Sequence, residues 1–198
     1  MPDRIAEHYE RHAHAFDEAR RRNFVEQHWL DRFLLAVPKG GHILDLGCGG
    51  GEPIDRYLID TGHQLTGVDV SERMISLART RFGRHTWLRA DMRRAAMGRK
   101  FHGVLAWDSL FHLAHQDQAD MLYKIGGWLE HGGALLFNSG PTRGEVVGEQ
   151  FGDPLYHASL EPYEYRELFR LFGLTEVAHA PDDQATGGRT VWLARKTG

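Results

Sequence analysis

A chain of 198 residues, 26% charged and 41% hydrophobic, with net charge −3 and a single cysteine, is sized for one globular domain and has no intramolecular disulfide framework. The weak net charge argues against a nucleic-acid footprint, and no run of eighteen apolar residues argues for a membrane span. The opening "MPDRIAEHYERHAHAF" is too charged for a secretory signal, so the cytoplasm is the expected compartment.

Residues 4–37 read as two helices, with Ile5, Tyr9, His12 and Phe16 at helical spacing, then Phe24, His28 and Phe33 with Trp29 beside them. Pro38-Lys39-Gly40-Gly41 breaks the pattern and the period changes. "HILDL" (42–46) reads as a buried strand, "EPIDRYLID" as a helix and "HQLTGVDV" as a second strand. "SERMISLARTRF" is a helix capped by Ser71, followed by the strands "HTWLRAD" and "FHGVLAWD". Residues 116–130 give a helix ended by His131-Gly132-Gly133, and "ALLFNS" a fifth strand. Residues 140–160 fit neither period and read as a lid loop with glycines at 140, 144, 148 and 152. A helix over 162–172 and strands "GLTEVAHA" and "RTVWLARK" complete the chain.

Strand–helix alternation with long connections specifies a doubly wound sheet with helices on both faces. Seven strands are expected, mostly parallel, with the last two paired antiparallel because no helix separates them. A single domain follows: a helical cap over 1–38, a core over 39–139, the lid at 140–160, and a closing helix and strand pair at 161–198.

Chemistry concentrates in "HILDLGCGGGEP". A dinucleotide fingerprint needs a small residue where Glu52 stands, and Asp45 would set a carboxylate near a pyrophosphate. No Lys-Ser/Thr follows to make a P-loop. The pattern present is D-x-G-x-G-x-G: Asp45, Gly47, Gly49 and Gly51. On these residues the chain resembles the class I S-adenosylmethionine-dependent methyltransferases, from about residue 40 to its end, which implies a Rossmann-like fold and that cofactor. In that family the glycine turn passes under the methionine and ribose of the cofactor, whose sulfonium tolerates a nearby acid. The resemblance implies that Asp69, ending the second strand, takes the ribose hydroxyls, and that Asp91-Met92, ending the third, serves the adenine. A bidentate carboxylate suits two adjacent hydroxyl donors. Tyr9, Val70, Met74, Trp107 and Asp108 join the expected cofactor contacts. Cys48 reads as a small residue packed beneath the cofactor, with a thiolate at a helix start as the other reading.

The same resemblance sets "WDSLFHL" (107–113) beside the transferred methyl, with Ser109, Phe111 and His112 facing the acceptor. Phe151, Tyr156 and His157 are expected to line the acceptor pocket from the lid, and Tyr9, Phe16 and Trp29 to close over it. His112, or else His157, is the candidate base, since an ordinary histidine pKa of about 6.5 leaves it mostly neutral. The rate should then rise with pH through that ionisation. No metal is expected: after Asp108 only Asn138 is present of the Asp-Asn pair that metal-dependent catechol-type enzymes carry. His8, His12 and His14 read as a solvated helix face lacking a carboxylate. The expected activity is methylation of an O, N or other nucleophilic atom of a small molecule by a monomer or homodimer, with no nucleic acid or membrane partner. A nicotinamide-dependent oxidoreductase and a non-catalytic S-adenosylmethionine-binding module are the alternatives.

Overall fold

A strand covered on both faces is predominantly apolar. His42–Leu46 (β1) is such a strand, buried at every position in the computed structural model, which describes residues 4–198. Around it stand Gln64–Asp69 (β2), Thr86–Arg89 (β3), Phe101–Ala106 (β4) and Leu129–Ser139 (β5), with Leu174–Asp183 (β8) and Arg189–Lys196 (β9) beyond. The seven expected strands form one sheet, in the order β3-β2-β1-β4-β5-β9-β8. β9 runs antiparallel to both neighbours, and the other adjacent pairs are parallel.

Side chains alternate across the pleat, so one strand feeds two cores. From β1, Leu44 and Leu46 join Val104, Phe137, Tyr165 and Trp192 on one face. Ile43 joins Phe33, Leu58, Ile75 and Trp87 on the other. The first face is covered by His115–Trp128 (α5) and Pro162–Leu171 (α6), the second by Gln27–Leu34 (α2), Ile54–Asp60 (α3) and Glu72–Arg81 (α4). Ser71 caps α4, its hydroxyl accepting from Met74 N–H at 3.2 Å, and a Glu161/Glu164 capping box starts α6.

Two expectations are corrected. α5 stops at Trp128 rather than at the glycines, because the fully buried Leu129 turns into β5 opposite Phe101. The register shifts there, and pairing resumes at Gly103 with Ala134. Residues 140–160 are mostly a β-hairpin rather than a loop, formed by Gly144–Gln150 (β6) and Asp153–Ser159 (β7) as a separate two-stranded sheet. Its turn residues Phe151 and Gly152 both have positive φ (54° and 82°), the geometry of a tight type I′ hairpin. Phe in place of the usual Asn or Asp hides that signal in the sequence. The hairpin packs against Ile5–Arg21 (α1) and the short turn at 110–112.

Candidate active site

β1 and β4 are adjacent although the chain leaves β1 toward β2, so the strand order reverses between them and a crevice opens at their C-terminal ends. The crevice is lined by Asp45, Gly47, Cys48 and Gly49 after β1, by Asp69, Val70 and Met74 after β2, by Asp91 and Met92 after β3, and by Trp107, Asp108, Ser109 and His112 after β4. α1 roofs it with Tyr9, Phe16, Asp17 and Arg20.

Gly47 and Gly49 take left-handed backbone, φ 85° and 54°. A Cβ at Gly47 would lie 2.4 Å from Ser109 Cβ, so this glycine admits a neighbour within the protein. Gly49 is the open one: its nearest side chains are Met74 and Phe16, at 3.9 and 4.0 Å. Gly51 does not line the crevice; its missing Cβ faces the Phe82 ring at 2.8 Å. Cys48 is buried, and burial first, then the carboxylates of Asp55, Asp69 and Asp45, push its thiol well up, which disfavours the thiolate.

Asp69 spans the loop. Its Oδ2 accepts Gly49 N–H at 2.9 Å and its Oδ1 accepts Ser71 N–H at 2.8 Å, leaving acceptor capacity on both oxygens. Asp91 is engaged: the Arg93 guanidinium clasps both its oxygens at 2.7–3.1 Å and reaches Asp117 at 3.1 Å. Asp108 sits at φ 49° in the grip of Arg189 (2.7 and 2.8 Å) and Asn138, which donates to its Oδ1 and accepts from its backbone N–H, both at 2.7 Å. Burial would raise the Asp108 pKa, but these partners outweigh it and hold the carboxyl below its usual range.

His112 Nδ1 lies 2.8 Å from the Tyr156 carbonyl, which can only accept, so Nδ1 carries the proton. Nε2 is therefore the acceptor for Tyr9 O–H at 2.9 Å. Burial lowers the His112 pKa to about 4 and raises that of the Tyr9 phenol far above its ordinary value. His157 stands beside His112 with ring centroids 4.9 Å apart, and Phe111 flanks it at 5.0 Å. Phe111, Phe151, Tyr156 and His157 lie outside the residues that line the crevice. Phe151 stacks on His8 and His12 instead, and Tyr156 touches the site through its backbone carbonyl. Trp29 is likewise elsewhere, donating to Asp183 at 2.8 Å.

Sequence reasoning missed α1's polar contribution. Asp17 receives both terminal nitrogens of Arg81, at 2.6 and 2.7 Å, and Arg81 also donates to the Gly50 carbonyl. Glu10 accepts from Ser71 Oγ at 2.6 Å. Arg20, among the crevice residues, is paired with the buried Glu26 and brings its cation near Asp45 and Asp108. Asp55 was missed as well: buried completely, it finds no donor for either oxygen and faces the Asp45 carboxyl. No sequence motif marks these residues, because each works through a segment distant in the chain.

The residues suit S-adenosylmethionine. An open glycine turn, free acceptor sites on Asp69, a buried indole N–H of Trp107 without a partner, and the Arg20 cation answer a ribose and an amino-acid end. The sheet order and this crevice define a class, and in both the chain is similar to the class I S-adenosylmethionine-dependent methyltransferases. Residues 43–133 match the family model described as a methyltransferase domain. The Bacillus subtilis protein YqeM is 32% identical over 66% of this chain and 54% of its own. The malonyl-(acyl-carrier protein) O-methyltransferase of Salmonella typhimurium is 30% identical over 69% of this chain and 50% of its own. The chain thus spans about half the length of these curated relatives. In fold it is similar to the 1,6-didemethyltoxoflavin-N1-methyltransferase of Burkholderia thailandensis, with TM-score 0.76 and 20% identity over 98% of this chain and 88% of that one.

Proposed function

We propose that the protein binds S-adenosylmethionine in the crevice and transfers its methyl group to a nucleophilic oxygen, nitrogen or similar atom of a small molecule. The observation that carries this reading is one crevice at the strand-order reversal that gathers the glycine turn, Asp69, Asp91-Met92, Trp107, Asp108, Ser109 and His112 under a single helical roof. Bound there, the cofactor supplies an electrophilic methyl group on a sulfonium.

The chain's own work is alignment and exclusion of water, which can lower a barrier by roughly 7–11 kcal/mol. Asp69 accepts from a vicinal diol with its remaining lone pairs, while Gly49 leaves room for the sugar. Arg20 and the Trp107 N–H offer a cation and a donor to a carboxylate. Tyr9 and Phe16 close the roof. A protonated acceptor gives its proton to His112 Nε2, displacing the Tyr9 hydroxyl that occupies it here. His157, beside His112, is the second candidate for that proton. An O-methyltransferase and an N-methyltransferase both stand among the similar proteins, so the acceptor atom is left open.

Thermal unfolding of the purified protein tests the cofactor reading. S-adenosylmethionine and S-adenosylhomocysteine should raise Tm, and NADH and ATP should not. A shift with NADH alone would overturn the assignment. Methyl transfer from labelled cofactor to a panel of small hydroxyl and amine acceptors separates an enzyme from a binding module.

A further inference from the structure

The four-residue spacing of His8 and His12 brings both imidazoles to one face of α1, and that face meets the hairpin turn. Opposite them stand Gln150 and Asp153, which pair with each other across the turn. His8 Nε2 lies 3.0 Å from Gln150 Oε1, and His12 Nε2 lies 2.7 Å from Asp153 Oδ2. One ligating atom from each of His8, His12 and Asp153 falls within 4.8 Å of the others. The third histidine of this helix, His14, is exposed and takes no part.

The surroundings are more than a chance cluster. His8 is 6% exposed, yet its Nδ1 has no hydrogen-bond partner. An idle buried imidazole nitrogen is costly, because it has lost water without gaining a partner. Phe151 stacks over both rings, at 6.5 Å from His8 and 5.4 Å from His12, and shields them from water. The expectation of a solvated helix face without a carboxylate is therefore corrected: Asp153, 141 residues from His12, supplies one.

We propose that His8, His12 and Asp153 form a binding site for a divalent transition-metal ion, zinc by its donors, with Gln150 Oε1 or a water completing the set. Two imidazoles and a carboxylate match zinc's preferences, and a tetrahedral ion with bonds of about 2 Å needs its donors about 3.3 Å apart. His12 Nε2 and Asp153 Oδ2, 2.7 Å apart, must therefore part slightly, while the His8 donor, within 4.8 Å of them, draws in. Arg11 is the resident competitor: its Nη1 lies 2.8 Å from Asp153 Oδ2, and Glu7 holds its other nitrogen at 3.0 Å. The ion staples the hairpin to α1. Tyr9 follows His8, and the Tyr156 carbonyl that orients His112 lies three residues beyond Asp153, so the staple fixes one wall of the crevice. This inference stands apart from the methyl-transfer reading.

Zinc titration of the chelator-stripped chain by calorimetry, paired with hydrogen exchange, tests it. One equivalent should bind and protect residues 5–21 and 144–159 from exchange. Asp153→Asn and His12→Gln should each weaken binding by about tenfold or more. Arg11→Ala should tighten it, and His14→Ala should leave it unchanged. Circular dichroism confirms that each variant is folded. No stoichiometric binding to the wild type, or equal binding by Asp153→Asn, or loss of binding in His14→Ala would overturn the proposal.

Discussion

His112 shows how a residue's neighbours revise what its type suggests. An ordinary histidine titrates near pH 6.5. This one is buried between Tyr9 and the Tyr156 carbonyl and titrates near 4. It is neutral across the physiological range, so the rate should be flat with respect to His112 from about pH 5.5 upward and fall only as pH approaches 4. The rise near 6.5 expected from the sequence is therefore withdrawn. His112→Gln should lower kcat by about 10²-fold while leaving S-adenosylhomocysteine affinity nearly intact, checked by steady-state kinetics and calorimetry. Normal turnover in the variant would leave His112 a packing role. Asp69 belongs to the same scale. Its replacement by Ala orphans Gly49 N–H and Ser71 N–H, costs about 1–3 kcal/mol in urea unfolding and removes most of the Tm gain from the cofactor product. A product-induced gain equal to that of the wild type would deny Asp69 the ribose.

Among the elements, α1 and the hairpin owe their places to polar contacts rather than to the sheet. A two-stranded sheet is marginal by itself. β6–β7 is held by His8 and His12 at its turn, and by Ser159 Oγ accepting from Gly140 N–H at its base. α1 is held by Asp17 on Arg81 and Glu10 on Ser71, both reaching to the start or end of α4. The Asp17–Arg81 pair is largely shielded, with side chains 8% and 18% exposed, and breaking one side of such a pair costs about 3 kcal/mol. Asp17→Ala should therefore free the roof: faster hydrogen exchange over residues 5–21 and cofactor affinity reduced about tenfold or more, with the core strands still protected. Unchanged exchange over 5–21 would mean that packing alone holds the helix.

For the molecule as a whole, Asp45 and Asp55 impose a pH dependence on stability. Burial pushes both carboxyls up, Asp45 to about 7. A carboxyl raised on folding keeps in the native state a proton that the unfolded chain has released. Its stabilisation is complete below about pH 4 and is lost as pH rises toward 7. Buried His42, His63 and His112, with lowered values, pull in the opposite direction as pH falls below 6.5. The comparison with Asp55→Asn isolates the carboxyl pair. The variant's Tm relative to wild type should climb from pH 5 to pH 8, at about 2–4 °C per kcal/mol recovered. A difference that does not vary with pH would show that the pair shares no proton.

The seven-stranded sheet, the succession of strands and helices along the chain and the crevice at the end of β1 were legible in the sequence. These follow from local signals: short apolar runs bounded by turn residues, which read as buried strands, 3.6-period runs between them, and glycines with a carboxylate at strand ends that a parallel sheet turns to one side. What lies over that crevice, and how its groups are charged, became visible only in the completed fold. The hairpin hid because its turn uses Phe151-Gly152. The Asp17–Arg81 clamp, the Asp45–Asp55 pair and the His8–His12–Asp153 cluster hid because their partners are 10 to 145 residues apart in the chain. Helical and strand periods are written in neighbouring residues, whereas desolvation and charge pairing depend on which distant side chains the completed fold brings within a few ångströms.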